Sequence, residues 1–365
     1  MSHILCPYCA SKITPSNVKY ECLSCGKEIK ISALESMMKM MPKCKNEKCT
    51  KDRNVVIKCR KCDSYLPPDI FQYKGYLPFS LVGISGAGKT NFITVLLEEL
   101  RRSGIMSVSH MNKETIERFK TERDRIYYEH IPCDATPRGD ILPYQWRIQK
   151  KVSNSKIDSY CMTIFDGAGE DYECVDEKIL LYIAASQYIV FLVDPTALLH
   201  VRRSISNKDS LEWSSASQFY NDYQKNEASQ ELVQDMAAYI RKARHIKVGR
   251  SIDTPVAICF TKIDLLLDQF GQQTITRPSP HVKNQGYKSE DGALVDQEIR
   301  DYLKRIGEQS FLNAVDTNFK NVQFFGVSSF GNSPIGQKSL GSIEPHRVLD
   351  PLMWILSKEG IVPKL

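Results

Sequence analysis

Beyond residue 75 the hydrophobic pattern of the chain switches repeatedly between two periods. Short apolar runs at 78–83, 143–149, 159–165, 187–194, 255–260 and 322–327 read as buried strands. Between them, apolar residues recur at helical spacing over 89–102, 113–129, 174–185, 228–244, 291–306 and 347–357. In the first of these, Phe92, Val95, Leu96 and Leu100 mark one face. Such alternation predicts an α/β domain: a mostly parallel sheet, helices on both faces, and ligands at the carboxyl ends of the strands. Two stretches stand apart. Residues 201–227 are polar with a weak pattern, and 269–289, with Pro278 and Pro280 among polar residues, reads as a mobile loop.

Before residue 75 the pattern is different, with too few apolar residues for an independent core. Eight cysteines stand there in four close pairs: Cys6 and Cys9, Cys22 and Cys25, Cys44 and Cys49, Cys59 and Cys62. A Cys-x2-Cys knuckle aims two sulfurs at one point, and two knuckles complete a tetrahedron. Taken in chain order, the pairs predict two tandem ribbons, at 1–30 and 43–75, joined by a linker over 31–42. The expected metal is structural Zn²⁺, with rubredoxin-like iron as its competitor. The methionines of 31–41 suggest either a partner surface or packing against a neighbouring module. Leu66-Pro67-Pro68-Asp69 breaks the chain, so a large domain is expected over 76–365. Of the other cysteines, Cys161 and Cys259 lie in strand-like runs and read as small buried hydrophobes.

Composition narrows the class. With 42% hydrophobic and 25% charged residues the chain is ordinary for a globular protein. No apolar run is long enough to span a bilayer and no leader is evident at residues 1–20, so the cytoplasm is the expected setting. Residues 1–75 hold fourteen Lys or Arg against seven Asp or Glu, and the remainder is close to neutral. Two four-thiolate sites, each carrying about −2 when metallated, cut that surplus to a mild one. Nucleic-acid contact through the ribbons is permitted without being demanded.

The richest chemistry follows the 78–83 strand. Gly83-Ile84-Ser85-Gly86-Ala87-Gly88-Lys89-Thr90, with Asn91 behind it, matches G-x-x-x-x-G-K-[ST] between a strand and a helix. The glycines let backbone N–H groups wrap phosphate oxygens at a helix N-terminus. Lys89 would reach the β- and γ-phosphates, and the Thr90 hydroxyl would ligate Mg²⁺. This predicts a nucleoside triphosphate site. A second element, Asp166-Gly167-Ala168-Gly169-Glu170, follows the 159–165 strand as D-x-x-G. Asp166 would hold Mg²⁺ through a water, and the Gly169 N–H would meet the γ-phosphate.

After the 255–260 strand comes Thr261-Lys262-Ile263-Asp264, and here the chain resembles the P-loop GTPases with their N/T-K-x-D motif. The resemblance implies that Asp264 accepts the guanine N1–H and amino group while Lys262 packs along the base. Thr261 stands where asparagine is commoner. It implies further that Ser328 and Ser329, after Phe324-Phe325-Gly326-Val327, touch the guanine oxygen. A first switch with a Mg²⁺-ligating threonine is also implied, and Thr136 in Asp134-Ala135-Thr136-Pro137 holds the matching place. Lys89, Thr136, Gly169 and Glu170 would then carry the reaction, with Arg138 a candidate charge stabiliser. Glu170 replaces the usual glutamine, and its negative charge near a γ-phosphate predicts slow intrinsic hydrolysis.

Phe191-Leu192-Val193-Asp194-Pro195, Ala135-Thr136-Pro137 and His346-Arg347-Val348 narrow the resemblance to the bacterial double-GTPase family of the TRAFAC class. That family belongs to multi-gene anti-phage systems and can carry N-terminal zinc ribbons. It implies protein partners, often a second GTPase. His346 itself reads as a surface or capping residue. Two functions stay open: a GTP-hydrolysing switch, or a zinc-ribbon adaptor for protein or nucleic acid that binds nucleotide with little turnover.

Overall fold

The computed structural model describes residues 4–49, 54–83, 87–111, 113–134, 143–166, 177–204, 228–332 and 340–365. Its larger part is a seven-stranded sheet built from β5 (Gly75–Val82), β6 (Ser107–His110), β7 (Tyr144–Ser153), β8 (Lys156–Asp166), β9 (Tyr188–Val193), β10 (Val256–Phe260) and β11 (Val322–Gly326). The spatial order is β11-β10-β9-β5-β8-β7-β6. The five strands from β11 to β8 run parallel, and β7 and β6 add an antiparallel edge. Strand β5 lies where the order reverses, with β8 on one side and β9 on the other.

Residue period sorts the two faces. In β9, Tyr188, Val190 and Leu192 enter one core while Ile189, Phe191 and Val193 enter the other. In β10, Ala257 and Cys259 oppose Val256, Ile258 and Phe260 in the same way. The first core is closed by α2 (Lys89–Arg102), α3 (Lys113–Tyr127) and α10 (Asp350–Lys358). The second is closed by α4 (Glu177–Ala185), α5 (Leu199–Ser204), α6 (Ala228–Arg244), α8 (Ser289–Arg305) and α9 (Gln309–Asn318), with the short turn α7 (Leu267–Phe270) at its end. The expected α/β fold with helices on both faces is therefore present. Edge strand β6 and helix α9, which buries Phe311, Leu312, Ala314 and Val315 on one face, were not among the expected elements.

The stretch 269–289 departs from expectation. Ile275, His281 and Tyr287 are buried, and Tyr287 exchanges backbone hydrogen bonds with the C-terminal segment, from its N–H to the Pro363 carbonyl and from the Leu365 N–H to its own. Polar composition misled because the carbonyls and imidazole of this stretch serve an internal polar cluster, described below.

The N-terminal module is one unit with a nested arrangement, not two ribbons in tandem. Strands β1 (Lys19–Cys22), β2 (Glu28–Ile29), β3 (Val55–Lys58) and β4 (Tyr65–Leu66) form one antiparallel sheet in the order β2-β1-β3-β4. Because β1 pairs antiparallel with β3, Cys22 opposite Val55 and Lys19 opposite Lys58, the two hairpin tips lie at opposite ends. The Cys22–Cys25 tip therefore meets Cys44 and Cys49, and the Cys59–Cys62 tip meets Cys6 and Cys9. Helix α1 (Ala33–Met37) begins with a capping box in which Ser32 and Glu35 satisfy each other's backbone N–H. Leu34, Met37, Met38 and Met40, in and just after this helix, are exposed, while Ile31 and Met41 at the ends of the stretch pack against the module's core.

Candidate nucleotide-binding site

The carboxyl end of β5 leads through Gly83 into α2, and local contacts explain the residue types. A Cβ on Gly83 would lie 2.7 Å from the Leu192 carbonyl oxygen, so no side chain fits between β5 and β9. Gly88, at φ +76°, takes the left-handed conformation that opens the helix. Lys89 and Thr90 are buried in the first turn, and Lys89 Nζ donates to the Gly83 carbonyl at 2.9 Å. Asn91 Oδ1 accepts the Cys133 N–H at 2.8 Å, tying the helix to the segment after α3. A glycine-opened helix start, with Lys89 folded back on the Gly83 carbonyl, fits an oxyanion.

Two strands away, β10 and β11 end in a second corner. The Thr261 N–H and Oγ1 both bond the Val193 carbonyl, at 2.9 and 3.3 Å. Val327 N–H bonds the Phe260 carbonyl and Ile263 N–H bonds the Val327 carbonyl, so the Thr261–Asp264 turn is stitched to the approach to Ser328. Asp264 is half-buried beside the Ser328 hydroxyl, and burial pushes its carboxyl pKa up against the pull of that hydroxyl and of Lys262. A desolvated carboxylate of this kind gains most from new N–H donors. Ser328 is buried and exchanges backbone hydrogen bonds with His346, while Ser329 is half-buried at the same turn. His346 takes the capping side of its reading: half-buried, its Nε2 lies 2.7 Å from the Ile275 carbonyl of the Thr274–Thr276 turn, and burial lowers its pKa.

Asp166 ends β8 beside β5, in register with Leu81. Its side chain, and Ser85, Gly86, Thr136, Arg138, Gly169 and Glu170 entirely, lie outside the described residues.

The eight module cysteines form two quartets, Cys6/Cys9/Cys59/Cys62 and Cys22/Cys25/Cys44/Cys49. Sulfur pairs lie 3.7 Å apart for Cys6 and Cys62 and for Cys9 and Cys59, and 3.8 Å for Cys25 and Cys44. A tetrahedron with Zn–S bonds of about 2.3 Å has edges of about 3.8 Å. The quartets are thus spaced for zinc and far too wide for disulfides.

A third cluster was not foreseen from the sequence. The Arg347 guanidinium, buried and at φ +49°, pairs with Asp291 and with Asp350 (2.7 Å) and bonds the Thr274 and Arg277 carbonyls at 3.2 Å. His281 Nε2 lies 3.7 Å from a carboxylate oxygen of each aspartate. Its Nδ1 accepts the Lys288 N–H, which leaves the proton of neutral imidazole on Nε2. That tautomer and the neighbouring guanidinium argue against a metal here. The cluster instead fixes the base of His346, next to the Ser328 corner.

No family model matches the sequence. SaeC of Mycolicibacterium smegmatis, named for ESX-1 scaffolding and assembly, is 22% identical over 304 residues, covering 78% of this chain and 75% of its own. The S. cerevisiae Ski7 GTPase-like domain bound to GDP and inorganic phosphate aligns with 81% of this chain and 52% of its own, at 12% identity and TM-score 0.36. Methanosarcina barkeri Roco2 RocCORdC bound to GDP covers 78% of this chain and 48% of its own, at 14% identity and TM-score 0.28. Sup35 complexed with GDP covers 72% and 39%, at 12% identity and TM-score 0.28. The chain spans about half the length, or less, of these solved structures, and likenesses this distant add nothing to the geometry.

Proposed function

We propose that the chain is a GTP-binding, GTP-hydrolysing switch whose nucleotide state is read by protein partners. One observation carries the reading: the Gly83–Thr90 loop, the Thr261–Asp264 turn and Ser328 all lie at the carboxyl ends of the parallel strands β5, β10 and β11. Phosphate chemistry and a donor-seeking carboxylate thereby share one edge of the sheet. Thr90, Asp166 and Thr136 would hold Mg²⁺, which supplies charge neutralisation at the phosphates when bound. The chain's own part is to cradle phosphate with backbone N–H groups, to place Lys89, and to select guanine through Asp264. Glu170 in place of glutamine favours slow turnover. Two zinc-binding cysteine quartets suit a reducing compartment such as the cytoplasm.

Partners such as a second GTPase, and a place in bacterial defence, follow from the resemblance carried by Phe191–Pro195 and His346–Val348. The adaptor reading draws on the outward-facing methionines of α1 and on a relative named for scaffolding. Binding of mant-GTP and mant-ATP to zinc-replete protein with Mg²⁺, followed by phosphate release, tests both. Guanine-selective binding that Lys89→Ala abolishes, with measurable release, supports the switch. Selective binding without release supports the adaptor, and equal affinity for ATP refutes the role of Asp264.

A further inference from the structure

Asp194 follows β9, between the phosphate-loop strand β5 and the base-corner strand β10. Its side chain is only 5% exposed, and each carboxylate oxygen has a distinct partner. Oδ1 accepts the Thr196 N–H at 2.8 Å and the Thr196 hydroxyl at 2.7 Å, capping the single turn Pro195–Ala197. Pro195 and that cap fix the carboxylate, so Oδ2 is held toward Lys262 Nζ at 3.0 Å. Lys262 in turn has φ +51°, a left-handed conformation unfavourable for a residue with a Cβ. The Thr261 bonds to Val193 keep the two strand ends together at this point.

We propose that Asp194 is a positioning residue for guanine recognition: it holds Lys262 in its strained turn, stem extended along the base site, before nucleotide arrives. This rests on the GTP reading above. An ordinary ion pair joining β9 to β10 would need neither the strain nor the second anchor at Thr196. Preorganisation of this kind raises affinity by removing an ordering cost from the binding step.

The test is a double-mutant cycle on mant-GDP affinity, with thermal unfolding as a parallel readout. Asp194→Asn keeps an acceptor for Thr196 but removes the charge facing Lys262, and Lys262→Met keeps a stem without its charge. Asp194→Asn should weaken binding about tenfold, the scale of one charge-assisted hydrogen bond, beyond the Tm loss expected when the partly buried Lys262 loses its partner. The double variant should bind no more weakly than Lys262→Met alone, because Asp194 acts only through Lys262. Multiplying losses, or an Asp194→Asn protein that binds like wild type, would overturn the inference while leaving the GTP reading intact. A wild-type protein that fails to bind mant-GDP would remove both.

Discussion

Arg347→Met removes the cation from a nearly closed polar cluster. The guanidinium is 1% exposed and faces Asp350 at 3% and Asp291 at 16%. Breaking a buried pair by deleting one partner costs about 3–5 kcal/mol, because the remaining charge stays desolvated. For a domain of this size that is a Tm loss of roughly 6–10 °C. The pH dependence is the sharper part. Burial first, and the Arg347 cation among the charges, hold the His281 pKa below 6.5, while Asp350 and Asp291 pull it up. In the native protein the depressed pKa means that stability is complete above 6.5 and lost as pH falls through the folded-state value. Without Arg347 one of the charges opposing the two aspartates is gone, so His281 titrates higher than in the native protein. The stability deficit should therefore shrink between about pH 8 and about pH 6. Urea unfolding of zinc-replete protein, followed by tryptophan fluorescence at both pH values, measures it. A deficit below about 1 kcal/mol at the higher pH, far under the cost of an orphaned buried charge, would refute the reasoning, as would one that stays constant or widens at the lower pH.

Two further substitutions test the nested module and the phosphate loop. Cys6→Ser combined with Cys59→Ser strikes a single quartet in the nested arrangement, so one of two bound zinc ions should remain; a tandem arrangement would lose both. Metal content after dialysis decides between them. Gly83→Ala places a Cβ against the Leu192 carbonyl, so the strand end must shift. We expect a loss of about 1–3 kcal/mol in stability, as for overpacking, together with weaker mant-GTP binding; an unperturbed variant would show that the close approach is relaxed in solution.

The large sheet was legible because its strands are buried on both faces and read as unbroken apolar runs such as Tyr188–Val193. Helix α2 was legible to its first residue because glycine, lysine and an apolar stripe coincide there. The cysteine partition was not, since Cys-x2-Cys spacing states which sulfurs form a knuckle and leaves the pairing of knuckles to strand order. Here the pairing of β1 with β3 decides it. The Arg347 cluster escaped for a related reason: Asp291 lies 56 positions from Arg347, with His281 further back still, and each residue alone looks solvated. Asp194 was visible only as part of Phe191–Pro195; its bond to Lys262 spans 68 positions.

The nested arrangement also places one cysteine quartet against the large sheet. Tyr182, on α4, stacks on Phe165 with ring centroids 4.2 Å apart, and Phe165 precedes Asp166. The Tyr182 hydroxyl donates to the Tyr8 carbonyl at 2.9 Å, within the knuckle from Cys6 to Cys9. Cys6 packs in the same core as Tyr76 and Cys161 of the large sheet. The Cys22 quartet is formed entirely by the module's other hairpin tip and the segment before β3. Tyr182→Phe should therefore loosen only one of the two sites. The lost hydrogen bond is worth about 1 kcal/mol, which corresponds to a several-fold faster release of one zinc equivalent to a chromophoric chelator. The other equivalent should leave at the native rate, and the Cys6→Ser/Cys59→Ser background should abolish the accelerated phase. If both equivalents accelerate together, or neither does, the module is not anchored through Tyr8, and the contact between α4 and the first knuckle is incidental to metal retention.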